Sequence, residues 1–321
     1  GTIDSYLIAR LTGGQSHITD ASNASRTQLM ALGTCQWDDE LLEVFGIPKT
    51  ALPEITSSWG ELAKTSPAHF LGLDAPITGN AGDQQAALFG QLAFNEGESK
   101  ATYGTGAFIL ANTAEKVVES THGLLTTVAW QAPDGKSTYA LEGSVFVAGA
   151  AVQWLRDGLG IIDKASAVEA LARKTQGSEG VVFMSSLTGL GAPFWQPDIR
   201  GSLFGITRGT TDANIAYATL EAIAFQVKAV LDAMELDMGS PIPALNVDGG
   251  AAANDLLLQI QSDLIGKDVL RATNLESTGL GAALLAGLGV GIWNSMEELA
   301  ELNPTDKSFS PKIDRKASYV Q

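Results

Sequence analysis

The sequence predicts an α/β protein in which helices pack against a mixed sheet, and two features of the 321-residue chain support this. Residues 100–112 have the pattern of two strands joined by a tight glycine turn, and residues 123–129 and 137–141 continue it as antiparallel strands. Helical segments follow, and a further strand at 244–247 lies between two of them. Strands connected by crossover helices are typical of α/β folds.

The predicted elements fall into two regions, and the pattern of helices, strands and loops changes near residue 93. The first region contains helix patterns, loops rich in Gly, Ser and Thr, and one strand at 75–79. Helices are predicted at 5–11, 38–45, 86–92, 148–157, 165–174, 214–234, 255–265 and 280–288. The sequence opens at Gly1 within a helical pattern and ends abruptly at 317–321, so we expect it to be a piece of a longer protein.

Composition narrows the possible partners and compartment. A net charge of −16 with only 20 Lys and Arg argues against nucleic acid and against an anionic membrane surface as partners. The single cysteine, Cys35, excludes an internal disulfide and a cysteine metal site. The sequence has no apolar run of transmembrane length and no signal-peptide pattern, so we expect a cytoplasmic protein without membrane insertion. A nucleotide ligand would need a local positive field from backbone amides, helix N-termini and a metal ion.

Asp83 lies in a glycine-containing turn between an apolar strand and an apolar helix. A carboxylate placed there projects into a cleft and can accept a proton from a substrate hydroxyl, while the amide of Gln84 can hold a hydroxyl. The alternative is that Asp83 is only the N-cap of the following helix. The tripeptide Gly82-Asp83-Gln84 alone favours the N-cap, whereas the rest of the chain favours the catalytic interpretation.

Glycine-rich segments are candidates for binding phosphate and nucleoside. The turn 102–106 has two glycines around Thr105, where backbone amides and a hydroxyl can converge on an oxyanion, although an ordinary hairpin turn is the simpler interpretation. Residues 247–254 have the order strand, glycine loop, helix start, which suits a phosphate or adenosine or, equally, a plain βα turn. Gly149 and Gln153 share a helix face, which either ligand approach or helix packing explains.

Other polar residues give weaker signals. The histidines His17, His69 and His122 have no metal-ligand spacing, and each is most simply a surface residue. Arg26 lies in a polar loop and is expected to be a structural ion-pair partner. The long glycine- and aromatic-rich loop 189–209 is typical of a functional segment.

Several blocks stand in the order found in the FGGY carbohydrate kinases, and the chain resembles that family over nearly its whole length. The blocks are Gly82-Asp-Gln-Gln-Ala-Ala-Leu-Phe-Gly90, Thr102-Tyr-Gly-Thr-Gly106, Leu124-Leu-Thr-Thr127, Ala148-Gly-Ala-Ala-Val-Gln-Trp-Leu-Arg-Asp157, Thr188-Gly-Leu-Gly-Ala-Pro193, Val247-Asp-Gly-Gly250, and residues 201–221. The resemblance implies two actin-like domains of the ribonuclease H type, with the active site in the cleft between them. Residues 1–92 would be the C-terminal part of the first, substrate-side domain, and 93–321 the second, nucleotide-binding domain.

The resemblance also implies an activity, ATP-dependent phosphorylation of glycerol to glycerol 3-phosphate with ATP and Mg²⁺. Asp83 would be the general base and would meet Mg²⁺ only through a metal-bound water. Gln84 would hold a glycerol hydroxyl, and Phe108 would pack on its carbon backbone. The nucleotide-binding residues would be Gly104 and Thr105 at the phosphates, Gly149 and Gln153 along the site, and Gly250, Ala251 and Asn254 around the adenosine.

The chain departs from the family pattern at its ends. The family's N-terminal stretch, with an ATP-gripping hairpin, an acidic residue near Mg²⁺ and a glycerol clamp, is absent, as is its C-terminal helix. Because positioning can contribute about 7–11 kcal/mol to catalysis, we expect this chain alone not to turn over glycerol. The alternatives are a catalytically silent nucleotide-binding actin-like module or a sibling FGGY sugar kinase.

The loop before the Asp83 turn indicates regulation. Residues 66–72 contain no arginine, unlike relatives whose loop binds fructose 1,6-bisphosphate, and they resemble a loop whose histidine is phosphorylated by the phosphocarrier protein of the sugar phosphotransferase system. His69 would be the phosphorylated residue, with an unmodified surface histidine as the alternative. The resemblance further implies a homo-oligomer when the protein is complete.

Overall fold

The computed structural model describes residues 1–312, so the expectation for 317–321 lies outside the described residues. The first region contains α1 (Ile3–Leu11), β1 (Ile18–Asp20), α2 (Ala21–Ala24), β2 (Met30–Ala31), β3 (Gln36–Trp37), α3 (Asp39–Phe45), β4 (Glu54–Thr56), β5 (Trp59–Lys64), β6 (Pro76–Gly79) and α4 (Asp83–Gly90). The second contains β7 (Ser99–Tyr103), β8 (Ala107–Ala114), β9 (Leu125–Gln131), β10 (Ser137–Val145), α5 (Gly149–Asp157), α6 (Val168–Ala172), β11 (Val182–Met184), β12 (Ser202–Phe204), α7 (Asp212–Met238), β13 (Ala244–Asp248), α8 (Asp255–Ile265), β14 (Asp268–Ala272), α9 (Ser277–Gly289) and β15 (Thr305–Phe309).

Seven strands form one mixed sheet in the order β15-β14-β13-β7-β8-β10-β9. Strand β13 runs parallel to β7 and β14, and the other neighbours pair antiparallel. The register places Asp248 beside Thr102, so β7 and β13 end at the same edge of the sheet. The turn after β7 and the glycine loop after β13 therefore start next to each other.

Helices cover both faces of this sheet, as alternating residues of β8 demonstrate. Ile109 belongs to the apolar cluster that contains Leu220 and Val227 of α7. Its neighbour Leu110 belongs to a second cluster, with Phe89 of α4 and others. Successive side chains of a strand point to opposite faces, so α7 and α4 lie on opposite sides of the sheet. The mixed α/β architecture predicted from the sequence is confirmed.

Helix α7 forms the centre of one layer. Its start is fixed by a capping box, in which the side chains of Thr211 and Asn214 bond reciprocally to the backbone. Leu220, Ile223 and Val227 are fully buried against the sheet. Burial of each such side chain contributes about 1.5–3 kcal/mol, so this helix anchors the strands that carry the candidate site.

Helices α4 and α9 pack closely on the opposite face. A Cβ atom on Gly90 would lie 2.8 Å from the amide nitrogen of Gly281, so the two backbones approach where side chains are absent. The Thr78 hydroxyl at the end of β6 also donates to the Ala286 carbonyl of α9 at 3.0 Å. These contacts fix the first region against the second and hold the start of α4 in place.

The elements that the sequence predicted differ from the observed ones mainly at their ends, and several observed elements were not predicted. Helix α4 begins at Asp83, three residues before the predicted start, because the apolar pattern begins only after the first polar turn. The predicted helix 165–174 is a 3-10 turn at 165–167 followed by α6. The sequence did not predict β14 and β15, because their polar residues interrupt the apolar pattern. It also did not predict the mostly short strands β1 to β5, β11 and β12 or the four-residue helix α2.

Candidate active site

The start of α4 presents Asp83 to solvent. The N-cap position is occupied by Gly82, whose amide donates to the Ser22 hydroxyl at 2.9 Å, and Asp83 is the first helical residue. One carboxylate oxygen of Asp83 accepts a hydrogen bond from the backbone amide of Gln84 at 2.8 Å, and the Asp83 side chain is exposed. The N-cap interpretation of Asp83 is therefore wrong, and the side chain is accessible to a ligand.

The next residue, Gln84, is tied to a buried lysine on the neighbouring strand. The Lys100 ammonium donates to the Gln84 Oε1 atom at 2.5 Å and to the Thr102 hydroxyl at 3.0 Å. The Gln84 Nε2 atom faces the second carboxylate oxygen of Asp83 at 3.4 Å. Asp83, Gln84 and Lys100 thus form one short chain of polar contacts from the surface into the sheet.

Lys100 has no solvent exposure, and acidic groups surround it. Burial lowers the pKa of the Lys100 ammonium to about 8, while the charges of Asp248, Glu142 and Asp83 oppose that shift. Burial also raises the pKa of the Glu142 carboxyl, which the guanidinium of Arg26, 3.0 Å away, partly counteracts. Arg26 is therefore the ion-pair partner that the sequence predicted.

The turn between β7 and β8 packs directly on the first residues of α5. The amide of Gly149 donates to the Gly104 carbonyl at 3.0 Å, and the amides of Ala148 and Ala150 donate to the Thr105 carbonyl at 2.9 and 3.0 Å. A Cβ atom on Gly149 would lie 2.6 Å from that Gly104 carbonyl oxygen. Glycine at 149 thus permits the contact, and the turn carbonyls satisfy amides that the helix start would otherwise leave unpaired.

A cavity of about 400 Å³ opens beside this turn, within the size range of small-molecule sites. Six of the seven predicted nucleotide-binding residues line it: Gly104, Gly149, Gln153, Gly250, Ala251 and Asn254. The seventh, Thr105, lies at the exposed tip of the turn, outside the lining. Apolar side chains such as Val152 and Leu220 form much of the remaining wall. The cavity suits a flat, largely apolar group with polar atoms at one end.

The loop after β13 forms another part of the cavity wall, next to the turn after β7. Gly249 has a φ of 84°, a left-handed conformation that favours glycine, and a Cβ atom there would lie 2.6 Å from the Tyr103 carbonyl. Asn254 is the N-cap of α8, and its side chain accepts from the Leu257 amide at 2.9 Å. The predicted helix start at Asn254 is confirmed.

Besides Thr105, the predicted residues Asp83, Gln84, Phe108 and His69 lie outside the cavity lining. Phe108 is partly buried on β8 opposite Thr102, so it lies on the sheet face that also carries Lys100. His69 is exposed in the loop between β5 and β6, where its Nδ1 atom is 3.2 Å from the Ser66 hydroxyl. The structure therefore gathers the predicted substrate and nucleotide residues around the end of β7 and leaves His69 apart.

Sequence reasoning missed the buried charges beneath Asp83. Lys100 and Glu142 lie in strands, where a charged residue in an apolar segment is the available signal. Asp248 was noted only as part of a glycine loop, although it is buried and accepts from the Gln91 side chain at 3.0 Å. Within residues 1–312, no group of three or more His, Cys, Asp or Glu side chains lies close enough together to hold a metal ion.

Comparison with known sequences identifies the family. Residues 1–90 match the N-terminal domain of the FGGY family of carbohydrate kinases, and residues 99–290 match the C-terminal domain. The chain is 54% identical to a glycerol kinase of Geobacillus kaustophilus over 98% of its own length and 63% of the relative's. It is 53% identical to a glycerol kinase of Bdellovibrio bacteriovorus, covering 99% of this chain and 64% of the relative. The chain thus spans less than two thirds of these curated relatives.

Solved structures agree. A Plasmodium falciparum glycerol kinase with ADP matches all of this chain and 65% of its own, with a TM-score of 0.92 and 41% identity. A gluconate kinase from Lactobacillus acidophilus matches 99% of this chain and 64% of its own, with a TM-score of 0.87 and 25% identity. The actin-like fold expected from the sequence is therefore confirmed. The chain belongs to the FGGY family of carbohydrate kinases.

Proposed function

We propose that this chain provides the nucleotide-binding half, and part of the substrate half, of an ATP-dependent glycerol kinase. Relatives described as glycerol kinases at 53–55% identity support glycerol as the substrate over the sugars of sibling kinases. The observation that carries the proposal is the position of Asp83, exposed at a helix start and linked through Gln84 to the strand that enters the glycine-walled cavity. A silent binding module is less favoured, because the similar proteins are described as glycerol kinases and because Asp83 is exposed at the start of α4.

In this proposal Asp83 accepts the proton of the terminal glycerol hydroxyl as that oxygen attacks the γ-phosphate of ATP. Phosphoryl transfer depends mainly on positioning and charge stabilisation, so one accessible carboxylate suffices as the base. Gln84 would hold a second hydroxyl, and Phe108, on the same sheet face as Lys100, would pack on the carbon chain. The γ-phosphate would then be bonded to the glycerol oxygen, and ADP would be the leaving group.

The nucleotide would occupy the cavity beside α5. Its apolar walls suit adenine, and the backbone of the Gly104 turn and of the Gly250 loop allows close approach of phosphates. Mg²⁺ typically binds through nucleotide phosphates, waters and one or two carboxylates, so Asp83 fits as a partner through a bound water. When bound, the ion would neutralise charge on the phosphates.

We also propose the domain boundary that the sequence suggested, with residues 1–92 in the first domain and 93–321 in the second. The family matches at 1–90 and 99–290 support a division between α4 and β7. Among residues 1–312, no helix combines the length and apolarity needed to cross a bilayer. A cytoplasmic location and a homo-oligomeric state of the complete protein belong to the proposal.

Asparagine at position 83 in the full-length protein tests the catalytic role. Asp83→Asn should lower turnover of glycerol by about 10²–10⁴, the range for a lost general base. Asp39→Asn is the matched control, because Asp39 is also an exposed first residue of a helix. A coupled assay for ADP release measures both, and an unchanged rate for Asp83→Asn would remove this residue from the mechanism.

His69 is the proposed site of regulatory phosphorylation by a phosphocarrier protein. Its ring is exposed, and Gly13 lies close beside it, since a Cβ atom on Gly13 would be 2.7 Å from Nδ1. A phosphate there would add about two negative charges to the loop and contact this backbone. Labelled phosphocarrier should modify the wild type and His17→Ala but not His69→Ala, whereas equal labelling of all three would exclude His69.

A further inference from the structure

Strand β7 carries a lysine that no surface or ion-pair role explains. Lys100 lies in the middle of the sheet, beside Asn246 of β13 and Leu110 of β8, and is completely buried. Both of its hydrogen-bond acceptors, on Gln84 and Thr102, are neutral. A buried lysine is destabilising unless its interactions offset the loss of hydration, so its placement needs a specific reason.

The contact with Gln84 fixes which way that amide faces. An ammonium group only donates hydrogen bonds, so it can face the Gln84 carbonyl oxygen but not its NH₂ group. The oxygen is therefore held toward Lys100 at 2.5 Å, and Nε2 is turned toward the Asp83 carboxylate, 3.4 Å away. The N–H groups of Gln84 are therefore the ones on the side of the Asp83 carboxylate.

Two buried carboxylates keep the lysine cationic. Glu142 Oε2 and Asp248 Oδ1 are buried with no hydrogen-bond partner among residues 1–312, so their charge acts through space. Both act to keep the Lys100 ammonium protonated against the effect of burial. The sheet therefore contains a buried cation whose direct hydrogen bonds go to the Gln84 side chain and to the Thr102 hydroxyl on its own strand.

We propose that Lys100 is a positioning residue that holds the Gln84 amide so that Gln84 donates, and does not accept, the hydrogen bond to the polyol substrate. This inference rests on the proposed function, in which Gln84 binds a substrate hydroxyl next to Asp83. Loss of the lysine leaves the amide free to rotate, so that it presents a donor only part of the time.

A double-mutant cycle on the full-length protein tests the coupling, with Lys100→Met, Gln84→Ala and the double variant. Gln84→Ala should lower kcat/KM for glycerol by about twofold to tenfold, the size of one hydrogen bond between neutral groups, with the KM for ATP within about twofold. Lys100→Met should lower kcat/KM by no more than Gln84→Ala does, because the amide still presents a donor part of the time. The double variant should be no worse than the worse single variant. Losses that multiply, or an equal rise in the KM for ATP, would overturn the proposal.

Two variants guard against trivial loss of folding. Lys267→Met removes a different lysine, which is partly buried and donates to the Ile242 carbonyl just before β13. This contact lies at the end of β13 remote from Asp248, so the variant should leave the kinetics unchanged. Lys100→Met combined with Glu142→Gln removes one positive and one negative buried charge together. This pair should show the same loss relative to Glu142→Gln alone, and an activity equal to that of Glu142→Gln would contradict the proposal.

A structural readout separates this inference from the proposed function. If the wild-type protein phosphorylates no polyol, the proposed function fails, and crystal structures of Glu142→Gln with and without Lys100→Met still decide the role of Lys100. The Gln84 side chain should be ordered with the lysine and displaced or disordered without it. An unchanged Gln84 conformation in both structures would overturn the proposal whatever the activity.

Discussion

The variant Gly149→Ala tests whether backbone packing holds the glycine turn between β7 and β8 against α5. The new Cβ would lie 2.6 Å from the Gly104 carbonyl oxygen, a backbone atom that cannot rotate away. To relieve this clash, the turn must move by about half an ångström, which should destabilise the fold by about 1–3 kcal/mol, as is typical of overpacking. Alanine also favours the helix by about 0.5–1 kcal/mol, so we expect a net loss of about 0–2.5 kcal/mol in the free energy of unfolding. The 3.0 Å bond from the Gly149 amide to Gly104 would lengthen in the process.

The same shift of the turn should also weaken ligand binding. A misplacement near 1 Å can cost about a hundredfold in catalysis, so a smaller shift of the turn should weaken ADP binding by about tenfold. Calorimetric titration with ADP and urea unfolding measure the two effects. Gly279→Ala is the matched control, because Gly279 is an exposed glycine of α9 with no atom within 4 Å of the added Cβ. A Gly149→Ala protein that binds ADP like the wild type and gains stability like the control would refute the reasoning.

Three further predictions concern charge. The folded pKa of Lys100, about 8, lies below its ordinary value of 10.5, so the unfolded chain binds more protons between these values and stability should rise with pH across that window. The rise in unfolding free energy, about 3 kcal/mol at most, should appear in denaturation at pH 8 and pH 10.5 and vanish in Lys100→Met but not in Lys267→Met. Arg26→Met leaves the buried Glu142 carboxylate without its ion pair and should destabilise the fold by about 1–3 kcal/mol. The double variant with Glu142→Gln should recover part of that stability. An unchanged melting temperature of Arg26→Met would contradict this prediction. Removal of Mg²⁺ by EDTA should weaken ADP binding by about tenfold or more and leave adenosine binding unchanged, because only ADP carries phosphate charge. Equal effects of EDTA on the binding of both ligands would contradict this prediction.

The sequence predicted the parts of the site that depend on local patterns. The glycine turn at 104, the loop at 250 and the face shared by Gly149 and Gln153 are local features, and the cavity brings them together. The partners of Gln84 could not be predicted, because Lys100 is sixteen residues away and meets it only through the packing of α4 on the sheet. The reason for glycine at 149 likewise emerged only from the approach of the distant Gly104 backbone, since helix packing and ligand approach give the same sequence pattern.

The distribution of charge indicates how a chain of net charge −16 would accommodate the proposed polyphosphate ligand. Among the described residues that line the cavity there is no lysine or arginine, and Glu169 is acidic. The nearby buried cation, Lys100, faces Gln84 and Thr102 and is already balanced by Asp248 and Glu142. In the proposed function, nucleotide binding would therefore draw on apolar burial of the base, on backbone amides of the glycine turns, and on charge brought by a metal ion with the phosphates. The proposed general base, Asp83, lies outside the cavity lining, so its carboxylate would meet the nucleotide only at the phosphate end, where the transferred group must be.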